Sequence, residues 1–549
     1  MISVEARAKS LMIWQTHKIA ALVLAASVLW TLPAQAGQAT EAAASGIPAV
    51  SYQSYPAGSG TAATALPATN VPQILSPRDA EHYAAAFALQ ESSDWNEADR
   101  HIAAIQDRVL VGSLLAQRYL SSDYTTTLAQ AREWLAAYRD QPEAHAIWKL
   151  ARHKAPRKAA SLPRPATGAD AASVDDGDGA VRLPAEPTIA NLQPPARYTA
   201  GLRAWRSHDF RLAAAQFEAV ARSSTVGGWY VAAGAFWAAR THLVMQQPEQ
   251  VDNWLEVAAL QPRTFYGLLA HRMLDEDERD VQFTSQPLSS KEESLLRALP
   301  GGRRALALVQ IGETDRAESE LRVLAVHASA ARANAIVALA DITQMPSLCM
   351  ALGPRVSDVR RRVDALYPVP RWQPRQGYTV DRALMFALMM QESNFDVEAE
   401  SGSGASGLMQ LMPRTARDVA RRSGIHLRSV SELVDPELNL SLGQEFVRQL
   451  LSHQEVHGNL ILMLAAYNGG TAPLDRWRNA PQYRDDPLLF VESLPRQETR
   501  LYVERVLTNM WIYRERLGQP VPDLDELAQN HWPTYVSLNQ VAMARTPRP

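Results

Sequence analysis

A glutamate stands at the end of a strongly apolar run. Val380 to Gln391 reads VDRALMFALMMQ, and Glu392 comes directly after it. Ala383, Leu384, Phe386, Ala387, Leu388 and Met390 leave almost no polar face, so the spacing predicts a buried helix over this run. Asp381 falls in its first turn, where the positive end of the helix dipole suits a carboxylate. Glu392 falls at the other end, beside the negative pole. Burial and the dipole both disfavour its charged form. A carboxylic acid still protonated near neutral pH is the group a general acid needs to cleave a glycosidic bond. The plain alternative is a solvated helix-terminal glutamate.

The residues after Glu392 favour the chemical reading. Ser401 to Pro413 reads SGSGASGLMQLMP, a Gly/Ser loop that runs into an apolar patch. Glycines at this density let the backbone approach a bulky substrate closely. The same stretch matches the dinucleotide fingerprint through Gly402, Gly404 and Gly407. That fingerprint requires a preceding strand, and here a polar run, Glu398-Ala-Glu400, comes first. Two other patterns also fail. His453 and His457 have the spacing of zinc ligands, but Glu455 is misplaced for a metalloprotease and Gly458 breaks the segment, so an exposed helix end is expected. Ser406 has no glycine two residues on, so there is no nucleophile elbow. No cofactor and no metal are expected.

Positioning such an acid is a task for helices, and the chain is rich in them. It has 549 residues, enough for about three or four domains. Apolar residues recur at i, i+3 and i+4 through most of it. A submotif appears three times: Trp95-x-x-Ala98-x-x-x-Ile102, Phe210-x-x-Ala213-x-x-x-Phe217 and Thr314-x-x-Ala317-x-x-x-Leu321. Each comes after a short polar turn, with a small alanine where two helices would approach. We read an α-solenoid of paired helices, its repeats too irregularly spaced for a tandem array. The predicted fold class is therefore all-α, a helix-pair superhelix with a compact helical segment after it.

Punctuation sets the expected boundaries. Residues 1–36 read as a signal peptide: Arg7, Lys9 and Lys18, then the uncharged run Ile19 to Trp30, then Ala34-Gln-Ala36. The run is short for a membrane span of about 20 residues, so stable membrane insertion is not expected and the periplasm is. Residues 37–76 read as a flexible leader, and 77–366 as the superhelix. An insert over 155–196, rich in Pro, Gly and Asp, is expected to be disordered. Residues 377–517 form the compact segment, and 518–549 an extension. Lys plus Arg number 55 against 58 Asp plus Glu, a net charge of −3, which gives no electrostatic reason to expect nucleic acid. Cys349 is the single cysteine, so there is no disulfide framework.

Four blocks then resemble a known family. Ala387-Leu-Met-Met-Gln-Glu392-Ser-Asn-Phe, Gly404-Ala-Ser-Gly-Leu-Met-Gln410-Leu-Met-Pro413, Ala465-Ala-Tyr467-Asn-Gly-Gly470 and Leu494-Pro-Arg-Gln-Glu498-Thr-Arg500-x-Tyr502-Val are similar to the catalytic domain of soluble lytic murein transglycosylases. Arg263-Thr-Phe-Tyr-Gly267 is similar, more loosely, to a block of the family's helical superhelix. The chain departs at Gly402-Ser403, Asn468-Gly469 and Arg496-Gln497.

The resemblance implies a lysozyme-like α-helical catalytic domain with Glu392 as its sole acid/base. Ser401, Gln410 and Met412 would line the sugar cleft. Tyr467 would point its hydroxyl at the carboxylate or at the substrate's acetamido group. Asn468 would contact substrate, and Glu498 would hold Tyr467 or a sugar. The implied partner is the peptidoglycan glycan strand, cut between N-acetylmuramic acid and N-acetylglucosamine to leave 1,6-anhydro ends. Protein partners stay open. Two other functions stay open: a hydrolytic muramidase, the same acid with water as nucleophile, and a non-catalytic peptidoglycan-binding scaffold of the envelope; Asp396, Glu398, Glu400 and Glu498 stay candidates for a second carboxylate.

Overall fold

The computed structural model describes residues 72–154, 162–166, 193–274, 283, 286–326, 328–478 and 486–539. The expected signal peptide and most of the expected leader lie outside these residues. So do most of the 155–196 insert and the last ten residues of the expected extension.

Among the described residues the elements are helices, and extended pairing is confined to the isolated bridges Glu400–Ser406, Ser406–Leu411 and Asn459–Thr534. In chain order, the helices that matter for the site and its support are α1 (Pro77–Glu91), α2 (Trp95–Ala104), α3 (Ala196–Arg206), α4 (Phe210–Ala221), α5 (Gly228–Val244), α6 (Phe265–Met273), α7 (Pro300–Gln310) and α8 (Thr314–Ala325). After them come α9 (Arg382–Ser393), α10 (Pro413–Ser423), α11 (Pro436–Leu451), α12 (Leu460–Gly469), α13 (Pro487–Ser493), α14 (Gln497–Arg516) and α15 (Pro522–Ala528).

The repeated submotif starts α2, α4 and α8, each the second member of a helix pair. The turn before each contains a residue in the left-handed region: Ser93 (φ 61°), His208 (φ 60°) and Gly312 (φ 86°). Asp94 and Asp209 cap their helices by accepting from the Glu97 and Leu212 amides. Ala98, Ala213 and Ala317 are fully buried, so the small side chain sits where the paired helices meet.

One large apolar core runs from α3 through α6 into α9–α15, so these helices and the Glu392 segment share an interior. A separate core serves α1, α7 and α8. Part of the expected insert is also packed. Leu162 is buried against a small cluster with Trp134 and Ile147, and the Ala166 amide donates to the Arg139 carbonyl.

The expected extension closes back on the start of α9. The Leu460 amide donates to the Pro533 carbonyl at 2.9 Å. The Tyr535 hydroxyl accepts from the Asp381 amide at 2.8 Å, and the Leu538 amide donates to Asp381 Oδ2 at 2.7 Å. Asn539 accepts from the Arg382 amide and donates to the Val380 carbonyl, each at 2.9 Å. Arg514 and Asp523, both fully buried, pair beneath this segment. No helix among the described residues is long and apolar enough to cross a membrane.

Candidate active site

The helix bearing Glu392 begins and ends two residues later than its sequence pattern predicts. Asp381 is the N-cap rather than a first-turn residue: its Oδ1 accepts from the Ala383 amide at 3.0 Å. Ala383 through Met389 are buried to within 1 %, so the rigid body of α9 is set by core packing. Its last turn carries Glu392, and Asn394 (φ 49°) and Phe395 (φ 62°) turn the chain sharply away. Ser393 Oγ donates to the Met389 and Leu408 carbonyls, each at 3.0 Å. That bond fastens the end of α9 to the Gly/Ser loop.

The loop is held by its own polar groups. Ser401 Oγ accepts from the Ala405 amide at 2.9 Å. Gln410, itself at φ 42°, donates through Nε2 to the Ala399 carbonyl at 2.8 Å and the Gly407 carbonyl at 2.9 Å. Asn439 of α11, fully buried, accepts from the Met409 amide at 2.8 Å and donates to the Ser406 and Leu433 carbonyls at 3.0 and 2.9 Å. Gly407, at φ 77°, is pressed against the same partners: a Cβ there would lie 2.2 Å from the Leu433 carbonyl oxygen. Met412, the N-cap of α10, leaves its apolar side chain 42 % exposed.

Two tyrosines close over the acid. The Tyr502 hydroxyl, from α14, donates to Glu392 Oε1 at 2.6 Å. The Tyr467 hydroxyl, from α12, instead donates to the Met409 carbonyl at 2.8 Å. Their rings stack with centroids 6.2 Å apart and planes inclined by 12°. Burial pushes the Glu392 carboxyl up from its ordinary 4.5 to about 7. The Glu498 charge adds to the rise, and the Tyr502 hydrogen bond opposes it. The group can therefore hold a proton at neutral pH and release it within the same site.

Glu392, Tyr467 and Glu498 are thus brought to one place, while Gln410 braces its own loop. Tyr467 is committed to the loop backbone, and Tyr502 touches the carboxylate. Glu498 lies exposed in the first turn of α14 and acts on Glu392 through its charge, while its neighbour Thr499 donates to Asn468 Oδ1 at 2.7 Å. Asn468 and Ser401 therefore each receive a hydrogen bond from the protein itself. Sequence reasoning missed Tyr502 and Asn439 as site residues. Tyr502 stands four residues from Glu498 on one helix face. Asn439 interrupts the apolar pattern Leu438-x-Leu440-x-Leu442 with a polar side chain. His453 and His457 lie in turns beyond α11, and among the described residues no three His, Cys, Asp or Glu gather as a metal site.

A consequence can be tested by titration. Tyr502→Phe removes a hydrogen bond that favours the charged carboxylate, so the Glu392 pKa rises above about 7. For an acid-dependent reaction the alkaline limb of the pH profile then moves to higher pH. The lost orientation lowers kcat by about tenfold. A limb that stays in place, or moves to lower pH, contradicts this geometry.

Part of the chain, including Glu392, is similar to known proteins. The family model described as "Transglycosylase SLT domain" matches residues 372–490. The soluble lytic murein transglycosylase of Salmonella typhimurium is 35% identical over 145 residues, covering 26% of this chain and 22% of that protein. The soluble lytic murein transglycosylase of Escherichia coli K12 is 36% identical over 143 residues, again 26% of this chain and 22% of the relative. These alignments thus span about a fifth of the relatives' length. The crystal structure of the 70 kDa soluble lytic transglycosylase from Escherichia coli matches with a TM-score of 0.51 and 21% identity, over 84% of this chain and 73% of that one, which shows a shared fold. Glu498 and Tyr502 lie beyond the family match, on α14. Glu392, the loop and Tyr467 all lie inside the stretch that is similar to the transglycosylase SLT domain.

Proposed function

We propose that this chain is a lytic transglycosylase of the bacterial periplasm, exported by its N-terminal signal segment. It would cleave the β-1,4 bond between N-acetylmuramic acid and N-acetylglucosamine in peptidoglycan. One observation carries the reading: a carboxyl group raised to about 7, hydrogen-bonded to Tyr502, at the end of a core helix. The names of the aligned relatives support the substrate class.

Glu392 gives its proton to the leaving glycosidic oxygen as the C1–O bond breaks. The substrate's own acetamido group shares the positive charge that develops at C1. The ionised Glu392 then takes the proton from the muramic acid 6-hydroxyl, and its oxygen bonds to C1. The acid is regenerated and no water is consumed. Because that hydroxyl belongs to the same sugar, its attack is intramolecular and outcompetes bulk water. The raised pKa serves both halves, because a group near pH 7 donates and accepts with little bias. The exposed Met412 and the loop backbone would form the sugar-facing wall.

Glu498 sustains the hydrolytic alternative, because it is a second carboxylate close enough to raise Glu392. Mass spectrometry of fragments released from purified peptidoglycan separates the two. Transglycosylation gives anhydro products lighter by one water than hydrolytic ones. Fragments with reducing ends alone establish a muramidase, and binding without release establishes a scaffold.

A further inference from the structure

The helix α14 has two working faces. Glu498 and Tyr502 stand one turn apart and look into the site. Arg500 and Glu504 stand one turn apart on the opposite face, about half a revolution away at 3.6 residues per turn. That second face is held by helices that precede the SLT domain. Trp229 of α5 donates through Nε1 to Glu504 Oε2 at 3.0 Å. Arg500 lies 3.5 Å from Glu492 Oε2 of α13. Glu492 Oε1 accepts from the Tyr198 hydroxyl of α3 and, at 2.7 Å, from the Tyr266 hydroxyl of α6. Arg206 adds bonds to the Glu492 carbonyl and Ser493 Oγ, at 3.0 and 2.9 Å.

Glu492 and Glu504 are 4 % and 2 % exposed. Burying two carboxylates is costly, and apolar residues of similar volume would stabilise a joint as well or better. What charged and neutral hydrogen bonds add is direction. The bonded residues 500 and 504 flank 502 by two positions on each side, so the register of this turn is the register of Tyr502.

We propose that Tyr198, Tyr266 and Trp229 are positioning residues for the reaction, holding α14 so that the Tyr502 hydroxyl meets the Glu392 carboxylate. The preceding helical region is then part of the active-site framework. The proposal rests on the acid role of Glu392 given above.

Its test uses the full chain with Tyr198→Phe/Tyr266→Phe, Trp229→Phe and the control Tyr83→Phe. Tyr83 is also a buried tyrosine, donating to the Asp107 carbonyl at 2.7 Å and accepting from the Leu110 amide at 3.0 Å, but in the separate core of α1. Two quantities are read: kcat and KM on peptidoglycan, and the Glu392 titration by 13C NMR, assigned by loss of its signal in Glu392→Gln. The groups facing that carboxyl are Tyr502, Glu498 and Tyr467, and the network variants alter none of them.

The expected result is a kcat lowered by about tenfold with KM within about twofold. The titration moves upward, as in Tyr502→Phe, and combining the two changes moves it no further. Tyr83→Phe leaves both readings unchanged. The proposal is overturned if the network variants behave as Tyr83→Phe does, or if their shift adds in full to that of Tyr502→Phe. Should the double variant not fold, Trp229→Phe alone carries the comparison. A wild-type chain that releases no glycan fragments would sink the enzymatic reading, yet the titration would still decide this one.

Discussion

Glu392→Gln abolishes fragment release from peptidoglycan, by at least about a thousandfold, while the chain folds and binds glycan as before. The amide matches the carboxyl in shape and can still accept from Tyr502. It has no proton to give and no charge with which to take one back. Stability moves the other way. The folded pKa of Glu392 is raised from 4.5 to about 7. Its favourable contribution is therefore complete below about 4.5 and is lost as pH rises through about 7. Glutamine carries no such penalty, so the variant's Tm at pH 8 should equal or exceed that of the parent. Gain in stability with loss of turnover marks a residue kept for chemistry. Assays of released fragments and thermal melts at pH 5 and pH 8 check both halves. Residual release within tenfold of the parent would transfer the acid role elsewhere.

The second large effect falls on Gly407→Ala. An L-residue at its φ of 77° costs about 1–2 kcal/mol before any contact is counted. Its Cβ would also stand 2.2 Å from the Leu433 carbonyl oxygen and 2.3 Å from Asn439 Nδ2. Neither partner can retreat easily, since Asn439 also holds the Ser406 carbonyl and the Met409 amide. The loop must therefore shift, and the Met409 carbonyl that anchors Tyr467 shifts with it. We expect kcat to fall by roughly a hundredfold, in line with an ångström-scale displacement near reacting groups, together with a clear drop in Tm. Gly402→Ala is the comparison, because a Cβ there meets nothing within 4 Å. If the two substitutions behave alike, the loop does not position the site.

The helices and the raised carboxyl of Glu392 are legible in the sequence because their signals are local. The apolar run before Glu392 spans a few turns, and the alanines of the helix pairs recur at helical spacing. Tyr502 meets Glu392 across 110 positions, and Asp381 meets Leu538 across 157. Contacts at that separation leave no periodic trace in either segment. Resemblance alone points the Tyr467 hydroxyl at the carboxylate or at a substrate acetamido group, yet an aromatic residue near a carboxyl has several acceptors in reach. Here the Met409 carbonyl takes its hydroxyl. Residues 518–539 offer composition alone, Pro520-Val-Pro522 and little periodicity, so their docking on α9 becomes visible only in the fold.

That docking bears on how the molecule comes into being. The ribosome makes Asp381 long before it makes Tyr535, Leu538 and Asn539, and Glu392 long before Tyr502. A nascent polypeptide holds the Glu392-bearing helix with its cap unsecured and its tyrosine missing. The Glu392–Tyr502 hydrogen bond thus has to wait until position 502 has been made, a built-in delay for a protein whose proposed target is the wall that encloses the cell.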